Sequence, residues 1–293
     1  MIFSSVLSQK EKSQAMHQAQ KVFIESGHTL VQVDLPHAKQ EVLPDVQWGD
    51  AAGFPTIAYW LYKILEKRLT GDVVRYKLGN SLLEEIGACL LGGHGIPAEN
   101  GLAAYEHMRS KGTFTGCAYS TEEIFSWLSE PIPLNGKTFK YRFAKQKSQY
   151  IHSAIKKVAN ESAPSESGKS LRNWLLEIKG IGPKTASWIA RNWLDADDVA
   201  ILDIHIYRAG LLGGFFKEEW TVEKNYNELE SQFIALAESM KVRTSELDAV
   251  MWYEMQNSPS VHRLLSLREN NKSNGLKDSS NYRHTNPQQV SLI

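Results

Sequence analysis

The chain has 293 residues, 42% of them hydrophobic, and its 33 basic residues balance 33 acidic ones to a formal net charge of zero. That length supplies one large domain or two modest ones with ample core, and the charge balance counts mildly against a coat protein that holds nucleic acid by bulk positive charge. No run of eighteen apolar residues occurs and MIFSSVLSQKEKSQAMHQAQ has no basic-then-apolar leader, so neither a membrane span nor a secretory signal is expected, which points to the cytoplasm or nucleoid.

Taken from the start, residues 8–26 read as a polar helix and 28–33 as a short strand. Pro44, Gly49, Gly53 and Pro55 mark an irregular loop, after which Thr56 opens a helix to residue 69 carrying Ile57, Tyr59, Trp60, Tyr62 and Ile64. Residues 82–91 form a second apolar helix, stopped by Gly92-Gly93-His94-Gly95. Helices are predicted over 100–109 and 121–128, the latter opened by the capping pattern Ser120-Thr121-Glu122-Glu123. The run YRFAKQKSQYIHSAIKKVAN, from Tyr141, gives a helix with Tyr150, Ile151, Ala154, Ile155 and Val158 inward and Lys145, Lys147, Lys156 and Lys157 outward. Residues 161–170, ESAPSESGKS, read as a flexible connector.

The densest pattern lies in residues 171–210. Ser170 can cap a helix with Leu171, Trp174, Leu175 and Ile178 on one face, until Gly180 and Gly182 stop it. Lys179-Gly180-Ile181-Gly182 is then a tight turn in which Ile181 plugs the gap between two helices. Pro183 suits the first position of the second helix, and Ala186, Ile189, Ala190 and Trp193 give that helix a buried face. Amides opening a helix are unsatisfied and partly positive, so the turn suits a phosphate. Lys184 falls in the first helical turn, where the dipole disfavours an ammonium charge and favours the free, nucleophilic amine. A loop with Asp195, Asp197 and Asp198 reads as solvated, and the apolar run from Val199 to Leu202 leads to Asp203, placed to cap a helix continuing with Ile204, Ile206 and Tyr207. Capping alone accounts for this aspartate. Beyond it, 222–240 is amphipathic, Thr244 or Ser245 caps a helix carrying Leu247, Val250, Met251 and Trp252, and the chain from about residue 269 is polar and nearly without core residues.

GIGPKTASWIARN followed by VAILDIHIYRAG resembles the helix-hairpin-helix and Gly/Pro/Asp signature of the DNA base-excision glycosylases. Asp203 follows Lys184 by 19 positions, close to the spacing of the members that both excise a base and cleave at the abasic sugar. The upstream wording, YRF then basic residues then YI, extends the likeness toward the 8-oxoguanine glycosylase/AP lyases of the compact prokaryotic type. Two cysteines, Cys89 and Cys117, cannot ligate an iron-sulfur cluster, which sets the chain apart from the cluster-bearing endonuclease III branch.

The resemblance implies a mostly α-helical, two-lobed HhH-GPD fold. Residues 1–55 would be an N-terminal extension, 56–74 with 210–268 a terminal lobe, 75–209 a central lobe with the hairpin at 171–194, and 269–293 a disordered tail. It implies Lys184 as the nucleophile at the sugar and Asp203 as the group that stabilises cationic character there. The amides of Gly180, Gly182 and Thr185, with His205, would take phosphates. Trp188, Trp48, Phe54 and Gln256 would line the base pocket, and His94 or Ile96 would fill the hole left in the duplex. Backbone carbonyls of Leu176, Ile178 and Ile181 would hold a monovalent cation, with no other cofactor expected. The implied partner is double-stranded DNA carrying a damaged base, met by a monomer.

Plainer readings stand beside these. Trp48 and Phe54 lie among aromatics that also read as core; Gln256 also reads as a surface glutamine near a helix end, His205 as a buried, satisfied histidine, and His94 with Ile96 as an ordinary helix end where family members favour Asn or Gln. For the whole chain the rivals are excision of another modified base and a hairpin module that binds DNA without catalysis. Lys184 paired with Asp203 argues against the second rival and says little about the first.

Overall fold

The computed structural model describes residues 19–71, 77–93 and 95–275. They form two compact units: a central unit ending at Asp203, and a terminal unit that joins residues 19–71 to 204–275.

The terminal unit begins with Gln20–Ser26 (β1) and Thr29–Leu35 (β2), paired antiparallel in unbroken register from Gln20↔Leu35 to Ser26↔Thr29. The strand expected at 28–33 is therefore present, whereas the helix expected over 8–26 is replaced by β1 in residues 20–26; residues 8–18 lie outside the described residues. Gln20, Val22 and Ile24 turn inward and Lys21, Phe23 and Glu25 outward, a period of two that pairing with β2 enforces. A shorter pair follows, Glu41–Leu43 (β3) with Val46–Gln47 (β4). The Gln20 amide clasps the irregular loop beyond it: Nε2 donates to the carbonyls of Pro36 at 2.7 Å and Gly49 at 2.9 Å, and Oε1 accepts the Ala51 N–H at 2.9 Å. Helix α1, Ile57–Thr70, starts at Thr56, whose hydroxyl accepts the Tyr59 N–H, and buries Ile57, Trp60, Leu61 and Ile64. Both β1 and β2 pack on α1, so residues 19–55 are part of this unit rather than an appendage to it.

The central unit is helical: α2 (Leu82–Leu91), α3 (Ala98–Ser110), α4 (Thr121–Ser129), a hairpin of β5 (Ile132–Leu134) and β6 (Lys137–Phe139), α5 (Ala144–Asn160), α6 (Gly168–Leu175) and α7 (Pro183–Leu194). Ser120 and Glu123 form the capping box of α4 that the sequence predicts. Helix α2 is enclosed by α3, α5 and α7 and buries Leu83, Ile86, Leu90 and Leu91. One apolar core runs from these residues through Ile151 and Leu171 to Ile189 and Val199. Burial of each such large aliphatic side chain is worth about 1.5–3 kcal/mol, so the unit is held chiefly by apolar packing.

The chain then returns to the terminal unit with α8 (Ile204–Leu212), α9 (Tyr226–Ser239), α10 (Thr244–Asn257) and α11 (Ser260–Gly275). Helix α8 packs on α10 and α11, which places the unit boundary at 203–204 rather than at the expected 209–210. Helix α11 also occupies residues 269–275, the opening of the stretch expected to be a disordered tail; residues 276–293 lie outside the described residues. The seam between α1 and α10 is polar: Tyr59 Oη donates to Glu254 Oε2 at 2.6 Å, and the Arg68 guanidinium forks onto Glu246 at 2.6 and 2.7 Å. Among the described residues no helix is long and apolar enough to cross a membrane.

Candidate active site

Helix α6 starts three residues earlier than its sequence suggests. Ser167 rather than Ser170 is its cap, with the hydroxyl accepting the Ser170 N–H at 3.0 Å. The Asp198 carboxylate accepts the amides of Gly168 and Lys169, each at 3.0 Å. Instead of lying in a solvated loop, Asp198 is thus anchored on the positive end of a helix and fixes the strand of chain that leads to Asp203.

Past α6 the backbone closes twice, with Ile178 N–H donating to the Leu175 carbonyl at 3.0 Å and Ile181 N–H to the Ile178 carbonyl at 3.1 Å. Ile178 and Ile181 are both buried in the central core, which holds the turn from below. Gly180 has φ +91°, a conformation that strains any side chain, and a Cβ there would run into the Tyr150 ring of α5. Gly182, the cap of α7, faces open space. Pro183 follows at the first helical position and has no N–H, while the Ala186 amide bonds the Gly182 carbonyl at 2.9 Å. Among the described residues, the amides of Gly180, Gly182, Lys184 and Thr185 are left without a backbone acceptor. Donors so grouped at the positive end of a helix make an anion site from local physics alone.

Lys184 is half-buried as the second residue of α7, and among the described residues no hydrogen bond or ion pair holds its ammonium. Trp188, also half-buried, lies four residues on and therefore on the same side of the helix. Asp203 belongs to the same unit, only 6% exposed at the end of the buried run through Leu202 and directly before α8. Leu176 caps the C-terminal, negative end of α6, and the Ile178 carbonyl keeps one lone pair beyond its bond to Ile181. Neutral carbonyls of Leu176, Ile178 and Ile181, with no carboxylate among them, fit a singly charged cation better than a divalent one.

The remaining expected residues fall in different places. In the terminal unit, His205 is half-buried with its ring edge-on to Trp252, centroids 6.4 Å apart. Phe54 lies edge-on to Tyr59 at 5.3 Å and to Trp60 at 5.5 Å, and Gln256 is exposed in the last turn of α10. Trp48 is 5% exposed, its N–H bonded to the Gln40 carbonyl and its own carbonyl to the Ala58 N–H. A ring so enclosed offers no open face to a base, so its expected pocket role is corrected to packing. Ile96 is likewise buried in the central core, which corrects its expected duplex-filling role, because entering a duplex would empty its place there. His94 lies outside the described residues.

Three residues were missed by sequence reasoning. Tyr150 was assigned inward, without a hint that its ring lies against Gly180. Asp198 gave no signal, because its partners lie about thirty residues earlier in the chain. The sequence groups Trp252 with Leu247, Val250 and Met251, yet it is 38% exposed beside His205; the buried Leu247, Val250, Met251 and Met255 mark the inner face of α10, and Trp252 falls off it.

The helical fold and the glycine turn flanked by α6 and α7 define a helix-hairpin-helix protein. More narrowly, residues 72–242 match the family described as 8-oxoguanine DNA glycosylase, and the chain belongs to that family. It is 34% identical over 122 residues to the 8-oxoguanine DNA glycosylase/AP lyase of Methanocaldococcus jannaschii, a match covering 40% of this chain and 58% of that relative's length. The enzyme of the same name from Metallosphaera sedula is 31% identical over 149 residues, covering 48% of this chain and 72% of the relative. Among solved structures, the Methanocaldococcus jannaschii 8-oxoguanine glycosylase/lyase in complex with 15mer DNA containing 8-oxoguanine gives a TM-score of 0.49 at 25% identity, over 68% of this chain and 98% of that one.

Proposed function

We propose that this protein excises 8-oxoguanine from double-stranded DNA and then cleaves the strand at the abasic sugar. One observation carries the reading: an unpaired, half-buried Lys184 stands in the first turn of α7 beside four outward amide donors, in the same unit as the buried carboxylate of Asp203. Duplex DNA hides the glycosidic carbon, so the damaged nucleotide leaves the stack first, at a cost of a few kcal/mol. The amides of Gly180, Gly182 and Thr185 take the phosphate beside the lesion, and His205 takes another. The carbonyls of Leu176, Ile178 and Ile181 would hold a monovalent cation, which would supply further positive charge at the turn. Trp188, one turn along α7, stacks on the extruded base.

Lys184 Nζ, as the free amine, attacks C1′ of the sugar; the bond from C1′ to the base breaks, and the base leaves with its electron pair and takes up a proton. Loss of the amine's protons and opening of the ring leave a C1′=N imine. Removal of a C2′ proton then expels the 3′ phosphate by β-elimination. Asp203 stabilises the positive charge that builds on the sugar and relays protons.

Borohydride trapping on duplexes carrying 8-oxoguanine opposite cytosine, or an abasic site, tests this directly. A covalent adduct on the 8-oxoguanine duplex, lost in Lys184→Ala, is expected. Trapping on the abasic duplex alone would keep the lysine chemistry and reject the base. Binding with no adduct on either duplex would leave a hairpin module without catalysis.

A further inference from the structure

Helix α5 and the residues just before it touch both glycine turns of the central unit. Tyr141 Oη donates to the Leu91 carbonyl at 2.6 Å and Lys147 Nζ to the Gly92 carbonyl at 3.1 Å, so two carbonyls at the end of α2 that have no next helical turn to pair with are each held by a side chain. The Phe143 ring lies 3.7 Å from where a Cβ would stand on Gly95, in the same turn after α2. Two helical turns further along α5, the Tyr150 ring fills the space against Gly180 of the hairpin, with its hydroxyl accepting from Gln146 Nε2 at 2.8 Å. Lys179, also of the hairpin, donates to Gln149 Oε1 at 3.3 Å.

Lys147 stands where these contacts meet. Its ammonium bonds the Gly92 carbonyl on one side and lies 5.8 Å from the centre of the Tyr150 ring on the other. It is half-buried, and burial holds it below the ordinary lysine range, a strain that a solvated surface lysine does not carry. We propose that Lys147 is a positioning residue that locks the end of α2 to the phosphate-gripping hairpin through Tyr150, so that the hairpin is held against the central core as one rigid piece. The consequence for excision rests on the reading of the hairpin given under Proposed function; the mechanical coupling does not.

Lys147→Met keeps the stem and removes donor and charge, so it tests both parts. In the free protein, amide hydrogen exchange is expected to quicken by about fivefold in peptides 91–97 and 178–182 together, and Tyr150→Leu to quicken the same two segments. If each variant disturbs only its nearer turn, the coupling is absent and the proposal falls, whatever the protein's activity. In single turnovers, Lys147→Met is expected to slow excision of 8-oxoguanine from duplex by about tenfold while cleavage of a ready-made abasic site changes by no more than about threefold, with Lys147→Arg restoring most of the loss. Unchanged excision, or equal losses on both substrates, would overturn the positioning role. A wild-type protein that excises nothing would sink the proposed activity instead, and the exchange measurement would still decide the coupling.

Discussion

Among the described residues of the central unit, six helices wrap around one apolar core, and Gly180 and Gly182 of the hairpin are exposed. In the terminal unit two distant stretches are stitched together by polar side chains: Gln20 at the loop, Tyr59 to Glu254 and Arg68 to Glu246 along the α1 and α10 seam. The difference teaches where each kind of substitution should act. The hairpin's backbone geometry is set locally in the central unit, so under the proposed function variants there should lose activity before stability; variants at the seam should lose stability before activity.

The hardest test of that division is Asp203→Asn. It keeps the shape of a buried side chain and removes its charge, so a loss of about 10²-fold in kcat/KM for excision is expected, with melting shifted by only a few degrees. Collapse of the fold at ordinary temperature would show instead that the carboxylate serves the structure. Gly180→Ala sharpens the contrast from the other side, because here function and packing coincide. The positive φ and the Tyr150 ring together should cost about 1–3 kcal/mol of stability, measured by urea unfolding, and should also weaken DNA binding. Gly180→Ala with Tyr150→Ala should recover the part due to overlap and keep the part due to backbone strain; full recovery would show that the left-handed turn matters little.

Arg68→Met should give the smallest effect, about 0.5–1 kcal/mol near pH 7, because the ion pair is partly exposed. The hydrogen bonds from Arg68 hold the Glu246 carboxyl below its ordinary range. A depressed carboxylate contributes stability that is full above its unfolded value of about 4.3 and is lost as pH falls through the lower folded value. The gap between wild type and variant should therefore close on acidification from pH 5 toward pH 3 in parallel urea titrations. A gap that stays constant would assign the effect to lost packing of the arginine stem.

Much of the hairpin was legible because its determinants are local: the glycines, Pro183, Lys184 and the apolar spacing of α6 and α7 lie within a few residues of one another. The capping box at Ser120 was legible for the same reason. What sequence could not give depends on partners far along the chain. The strand β1 has an outward Phe23 among polar neighbours, and only its pairing with Thr29–Leu35 separates it from a helix. Trp48 and Ile96 are residue types that serve a pocket or a core equally well, and only packing decides between them. Asp198 and Tyr150 act on backbone about thirty residues away, at α6 and the hairpin, where no periodicity could place them.

The discontinuity of the terminal unit also bears on how the protein is made. Tyr59 and Glu254 are 195 positions apart in the chain, so during synthesis α1 leaves the ribosome long before α10 exists to cover it. At the usual pace of translation that interval is on the order of 10–40 s, during which Trp60 and Ile64 have only the preceding strands and the loop with Phe54 for cover. Among the described residues the central unit is one stretch ending at Asp203, so it can fold before α10 is made. The nascent chain therefore spends its most aggregation-prone moments with its hairpin-bearing unit assembled and its frame still open.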